Sequence, residues 1–169
     1  ASEFADTKAS VLGDYVASKL EMEEGEVPLF MTVTVDYRGY MLFFYQNGKC
    51  AKIPLASYMT KQNRRKLLKA YSDKEELAAM LHIEEETELA VFTSGGTGGP
   101  RLILVGSALI PEKATRDTAG INMVTLKKNA RIAKVRPAAG LELKDPHRYR
   151  VRTLPAAGAL LRQEDTTEQ

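Results

Sequence analysis

Tryptophan is absent, cysteine occurs once (Cys50) and histidine twice, at His82 and His147. A single thiol excludes an intrachain disulfide and any multi-cysteine zinc site, and it fits a reducing, cytoplasmic setting. The two histidines are far apart and lack ligand-spaced partners, so neither a metal nor another cofactor is expected. Neither sign of charge dominates: the formal net charge is +2, from 24 basic and 22 acidic residues. A case for a nucleic-acid partner must therefore rest on where the charges sit. No apolar run approaches the roughly 20 residues of a membrane-spanning helix, and no membrane partner is expected. Glu3 and Asp6 fall where a signal peptide would need an apolar stretch.

What is present is ordinary globular composition, 44% hydrophobic and 27% charged over 169 residues. That is long enough for one domain with a real core. The apolar runs are short and rich in β-branched and aromatic residues. Residues 27–35 (VPLFMTVTV) predict one strand. Residues 40–45 (YMLFFY) and 49–55 (KCAKIPL) predict a hairpin about Gln46-Asn47-Gly48, where Asn-Gly points to a type I′ turn with positive φ at both positions. A second hairpin is expected from 89–93 (LAVFT) and 101–106 (RLILVG), joined by the glycine-rich residues 94–100. That loop resembles a phosphate cradle only superficially, because no Lys-Ser/Thr pair follows it. Residues 132–135 supply a further apolar stretch, and 73–82 (DKEELAAMLH) a short turn of helix. The fold class is all-β.

These pieces recur at spacings of about 50 residues, within the range of propeller blades. Ser2-Glu3-Phe4, Ser57-Tyr58 and Ser107-Ala108-Leu109 open successive connectors. Each is followed by a threonine with basic neighbours: Thr7-Lys8, then Thr60-Lys61 with Arg64, Arg65 and Lys66, then Lys113-Ala114-Thr115-Arg116. An acidic or lysine-rich turn introduces the next strand, at 23–26, 84–86 and 127–129. The first repeat lacks its opening strands and the third its hairpin, as in a piece of a larger array. The expected architecture is a propeller-like fragment of two to three four-stranded blades over 1–137, with a C-terminal extension and polar tail over 138–169.

The run Tyr40-Met-Leu-Phe-Phe-Tyr-Gln-Asn-Gly-Lys-Cys-Ala-Lys-Ile-Pro-Leu55 resembles a blade hairpin of the C-terminal domain of the gyrase/topoisomerase IV A subunit, part of a bacterial type IIA topoisomerase. Residues 60–72 (TKQNRRKLLKAYS) and 107–127 (SALIPEKATRDTAGINMVTLK) are similar to blade connectors of clostridial-type A subunits. The resemblance spans roughly residues 2–137. It implies a β-pinwheel, a disc of four-stranded blades with strands exchanged between neighbours. It also implies contact between a basic rim and double-stranded DNA, with the rest of the A subunit and the B subunit as partners. The ATP-dependent isomerase reaction belongs to other parts of such an enzyme, and no catalytic residue is carried onto this chain. The glycine- and arginine-rich box of gyrase proper is not matched; Gly13 and Ala119-Gly120 keep only fragments of such a connector. The closer analogy is therefore topoisomerase IV, with a weaker wrap.

The basic residues make the same case independently. Lys61, Arg64, Arg65, Lys66 and Lys69 lie in a stretch, 60–72, that holds no acid. Lys8, Lys113 and Arg116 take the equivalent place in neighbouring repeats. Stacking would align them as a track that grips backbone phosphates without reading sequence. The alternative is a propeller-type protein-interaction module whose basic loops are incidental, since charge runs are commonly solvated faces. The same holds for the acidic turns. Cys50 reads as a small buried hydrophobe. Tyr40 and Tyr45 suit a blade core, and Tyr71 suits a place beneath the basic connector. In the extension, alternating Arg148, Arg150 and Arg152 would share one face of a strand, and 163–169 is expected to fray. Open sheet edges make self-association a further expectation.

Overall fold

A computed structural model describes residues 6–61 and 66–168 and holds eight strands in two antiparallel sheets. The two expected hairpins are present. β1 (Tyr40–Tyr45) pairs with β2 (Lys49–Pro54), and β4 (Glu88–Gly95) pairs with β5 (Arg101–Gly106). The chain then adds a strand beside the first member of each hairpin: β3 (Leu77–Ile83) on β1, and β7 (Ala130–Pro137) on β4. The fourth strand comes from the next repeat. β6 (Ile121–Asn122) crosses back to β2, and β8 (Ala159–Leu160) crosses back to β5. The orders β3-β1-β2-β6 and β7-β4-β5-β8 define two four-stranded blades with exchanged outer strands.

Glycine makes the exchange sterically feasible. A Cβ on Gly120, at φ +75°, would lie 2.0 Å from the Cys50 carbonyl oxygen, where the chain crosses β2 before entering β6. Gly158 plays the same part before β8: its Cβ would lie 2.7 Å from Ile103 Cγ1. Only a residue without a side chain tolerates both the positive φ and the close approach.

Both faces of the hairpins are buried, which explains why their sequences are continuous apolar runs instead of alternating ones. Successive side chains point to opposite faces of a strand. Leu42 and Phe44 of β1 therefore join Leu89, Val91, Ile103, Val105, Ile132 and Val135 in a core between the blades. Met41, Phe43 and Tyr45 face outward with Ala51 and Ile53 and are covered by Tyr37, Tyr58 and Tyr71. Tyr71 stacks on Phe43 at 5.8 Å with 12° between the ring planes. On the outer face of the second blade, Ala90, Phe92, Leu102 and Leu104 pack against Tyr149. Each large side chain buried here contributes about 1.5–3 kcal/mol. Cys50 is buried in the central core, and that burial pushes its thiol pKa up.

Several expectations need correction. The first hairpin turn is not type I′: Gly48 has φ +90°, while Asn47 stays out of the positive region and its Oδ1 accepts from the Lys49 amide at 3.1 Å. That is a longer loop with a single left-handed glycine. The expected helical turn within 73–82 is instead part of β3, because Leu77–Ile83 gains a full ladder on β1 and tertiary pairing overrides alanine's helix propensity. Residues 27–35 form no strand, having no neighbour to pair with among the described residues. Nor is Arg148–Arg152 a strand. Arg148 closes a 3-10 turn (Pro146–Arg148), and only Arg150 bridges to β5. The tail does not fray as a whole: 163–168 makes a 3-10 segment in which Asp165 is buried.

Candidate nucleic-acid interface

The first connector leaves β2 through a 3-10 turn (Leu55–Tyr58), and the second leaves β5 through its counterpart (Ser107–Leu109). The two meet on one side of the molecule. Lys69 and Arg116 line one shallow groove of about 340 Å³ with Ser57, Leu68, Thr115 and Asp117. An adjoining groove of about 560 Å³ adds Lys66, Lys74 and Glu26. Arg116 is held there by its guanidinium, which donates to the Ser57 carbonyl at 3.1 Å and lies 5.9 Å from the Tyr58 ring. The Tyr58 hydroxyl in turn donates to the Ala70 carbonyl at 2.7 Å. Burial pushes its pKa up, so it stays a neutral donor.

The cluster that is free of acid along the chain is not free of acid in space. Lys66 Nζ lies 3.2 Å from Glu23 and 3.0 Å from Glu26. The Glu23 amide and then Lys66 hold the Glu26 carboxylate below its ordinary pKa, and the two carboxylates raise that of Lys66. Lys69 Nζ lies 4.0 Å from Asp117. Thus the acidic turn expected to be solvated is partly engaged with the basic connector. Lys8, Lys61 and Lys113 are exposed, and none of the three lines either groove. Arg64 and Arg65 fall outside the described residues.

A second cationic surface went unnoticed in the sequence. No acid occurs between Asp117 and Glu142, and this span holds Lys127, Lys128, Arg131, Lys134 and Arg136. None of the five forms an ion pair among the described residues. Lys127 and Lys128 sit in the turn before β7, closed by Ala130 N–H donating to the Lys127 carbonyl at 2.9 Å. Along β7, Arg131 pairs with Ser94, Lys134 with Phe92 and Arg136 with Ala90. The register shifts between Phe92 and Thr93, leaving Ala133 without a partner. This bulge matters because Arg131 and Lys134 are an odd number of residues apart and would otherwise face opposite ways. With it, all three cations share the outer face while Ile132 and Val135 stay in the core. The acid-free span was legible; the shared face was not, because it depends on the bulge.

Arg148 and Arg152 are also exposed, whereas Arg150 is engaged by Glu88, with Nε–Oε2 at 2.6 Å and Nη2–Oε1 at 3.0 Å. Among the described residues, no three His, Cys, Asp or Glu side chains gather as a metal set. No described helix is long and apolar enough to cross a membrane.

The blade topology is that of the β-pinwheel, the fold of the C-terminal domains of type IIA topoisomerase A subunits. The crystal structure of the C-terminal domain of DNA topoisomerase IV superposes with a TM-score of 0.70 at 16% identity, over 94% of this chain and 53% of that one. The Escherichia coli ParC C-terminal domain gives 0.61 at 12% identity, over 92% and 68%. A DNA gyrase A C-terminal domain gives 0.56 at 13%, over 75% and 44%. The chain thus spans about half the length of the topoisomerase IV structure. No protein-family model matches it, and neither does any curated protein sequence.

Proposed function

We propose that this chain is a non-catalytic DNA-binding and DNA-bending module of a type IIA topoisomerase A subunit, acting in the cytoplasm with the remainder of that subunit and its B subunit. The observation that carries the reading is the pinwheel fold shared with the topoisomerase IV C-terminal domain over 94% of the chain. Its electrostatics support backbone contact. The β7 strip and its turn offer five cations that form no ion pair among the described residues, while Lys66 and Lys69 share theirs with acids. An unpaired cation releases a condensed counterion when it meets a phosphate; a cation that must first leave a carboxylate gains less. The surface that grips duplex DNA is therefore centred on Lys127, Lys128, Arg131, Lys134 and Arg136. Lys8, Lys61, Lys113 and Arg116 contribute from the connectors, with Arg64, Arg65, Lys66 and Lys69. Phosphate contacts of this kind fix register and bending, and they guide strand passage without reading bases.

Duplex affinity measured against salt tests the reading. Each phosphate contact contributes a slope of about −0.9 in log K against log salt. Arg131→Ala, Lys134→Ala and Arg136→Ala combined should flatten the slope by about 2–3 with little sequence preference. Arg64→Ala, Arg65→Ala and Lys66→Ala combined should flatten it less. A weak, flat response in the unaltered chain would instead favour the propeller-type protein-interaction module.

A further inference from the structure

The acidic turn at 23–26 is built before Lys66 reaches it. The Glu26 amide donates to the Glu23 carbonyl at 3.1 Å, and Gly25, at φ +87°, lets the chain close. The Glu23 amide donates back to Glu26 Oε2 at 2.8 Å. The other oxygen of that carboxylate, Oε1, lies 3.0 Å from Lys66 Nζ, and Glu23 Oε1 lies 3.2 Å from it, from 43 residues away in the chain. Glu26 is therefore fixed on its own turn and loses little freedom in meeting the ammonium. That sets this cluster apart from an ordinary surface pair, in which two long side chains must both be ordered.

One ammonium against two carboxylates leaves the cluster with a net negative charge. It stands where a duplex would be gripped, because Glu26 and Lys66 line the same groove as Lys69 and Lys74. The Lys66 side chain is 50% exposed, so a phosphate can reach it, but the approach is repelled until both acids have let go. The repeat supplies the contrast. The equivalent turn before β7 is Lys127-Lys128-Asn129, and the cations beside it form no ion pair among the described residues. In the repeat between them, Glu86 of the turn 84–86 is engaged by the buried Lys52 instead.

We propose that residues 23–26 are an intramolecular competitor of duplex DNA, masking Lys66 until phosphates displace the Glu23 and Glu26 carboxylates. The proposal rests on the DNA-binding reading and adds to it a regulation of that surface by the chain itself. A contact at Lys66 then releases less counterion than one at the β7 strip, because the freed carboxylates gather cations of their own.

The test is a cycle of duplex affinities at about 0.1 M salt, where charges more than roughly 10 Å apart are screened. Glu23→Gln with Glu26→Gln should raise affinity about 3- to 10-fold and steepen the salt slope by about 0.9. Lys66→Gln alone should weaken binding by less than about 2-fold, since the lysine is already masked. With all three replaced, most of the gain should vanish, because the cation that the acids guard is gone. Equal gains with and without Lys66 would mean that the acids only repel DNA through space, and would overturn the competition; no gain at all would do the same. A chain that binds duplex in none of these forms overturns the DNA-binding reading and the competition with it, whereas binding without coupling overturns the competition alone. The mask has a readout of its own in the acetylation rate of the Lys66 amine, with Lys74 as reference. Neutralising both acids should speed it about 3- to 10-fold, and an unchanged rate counts against the proposal.

Discussion

The two blades share one strand order and differ in the chemistry that closes them. At the start of the hairpin, Tyr40 in the first blade answers to Glu88 in the second; where the next connector bridges in, Glu112 answers to Arg150. In the first blade this place holds a phenol beside a carboxylate, and Glu112 raises the Tyr40 pKa. In the second it holds an ion pair, Arg150 with Glu88. The residues that the connectors bridge, Lys52 and Leu104, contrast more sharply. Lys52 is 3% exposed, its ammonium bonded to Glu86 and to the Ser107 carbonyl at 3.1 Å, and 4.2 Å from the Tyr40 ring centroid. Ser107 also donates to Glu86 and accepts from the Thr87 amide at 2.9 Å. Since Ser107 follows β5, this network ties the first blade to the second. The second blade has leucine at that place. Its buried charge lies elsewhere, in Asp165, which accepts from the Tyr149 hydroxyl at 2.6 Å and the Lys144 amide at 3.1 Å. One blade is closed around a buried cation, the other around a buried anion, so each fails in its own way.

The largest effect is expected from Glu86→Ala. It leaves the Lys52 ammonium buried with one carbonyl and an aromatic face, at a cost of about 3 kcal/mol. Lys52→Leu should cost less, because the Glu86 side chain is 42% exposed and can turn to water. Glu86→Ala combined with Lys52→Leu gives the first blade the apolar character of the second, and most of the loss should be recovered. Urea unfolding midpoints of the three variants measure this. If the combination were no more stable than Glu86→Ala alone, the cation would not be the source of the asymmetry.

Next in size is Tyr149→Phe, which removes the donor to a buried carboxylate and the acceptor of the Arg162 amide, at about 1–2 kcal/mol. The Tyr149 hydrogen bond is the main reason the Asp165 pKa is lowered; burial opposes it, and the Lys144 amide adds to it. A carboxyl whose folded pKa lies below its unfolded value of about 3.9 stabilises the fold fully above that value. That stability is lost as pH falls through the folded pKa. The gap between the parent and Tyr149→Phe should therefore be constant near neutrality and shrink only below about pH 4. A gap that held steady into stronger acid would mean that Asp165 is not the partner that matters.

The hairpins were legible because both their faces are buried, and a continuous apolar run such as YMLFFY bounded by turn residues has few other uses. β3 was not, because LAAMLH suits a helix in isolation and becomes a strand only through its ladder on β1. The exchanged strands β6 and β8 are two residues each and carry no periodicity at all; Gly120 and Gly158 mark them, but only once a close backbone approach is known. The same limit applies to the cationic site. Counting acids along 60–72 gave a clean cluster at Lys61–Lys69, yet Glu23, Glu26 and Asp117 reach Lys66 and Lys69 from distant positions. Along 118–141 the count held up in space, since Lys127, Lys128, Arg131, Lys134 and Arg136 meet no such acid among the described residues. Local composition finds cations; only the fold says which are already neutralised.

The smallest effect is expected from Arg150→Gln, although its ion pair with Glu88 is bidentate and short. The Arg150 and Glu88 side chains are 39% and 34% exposed, so each exchanges its partner for water at little cost, unlike Lys52 or Asp165. Arg150 is the chief cause of the lowered Glu88 pKa, but at this exposure solvent screens most of the interaction. The unfolding midpoint should move less than for Tyr149→Phe. Near 1 M salt, where the Debye length is about 3 Å, the remaining difference should largely disappear. Glu86→Ala should keep its effect under the same conditions, because the Lys52 ammonium is shielded from salt by the protein around it. A salt-resistant shift for Arg150→Gln as large as that of Tyr149→Phe would mean that the second blade is closed by its ion pair, not by its buried anion, and the contrast between the blades would then lie only in their exposure.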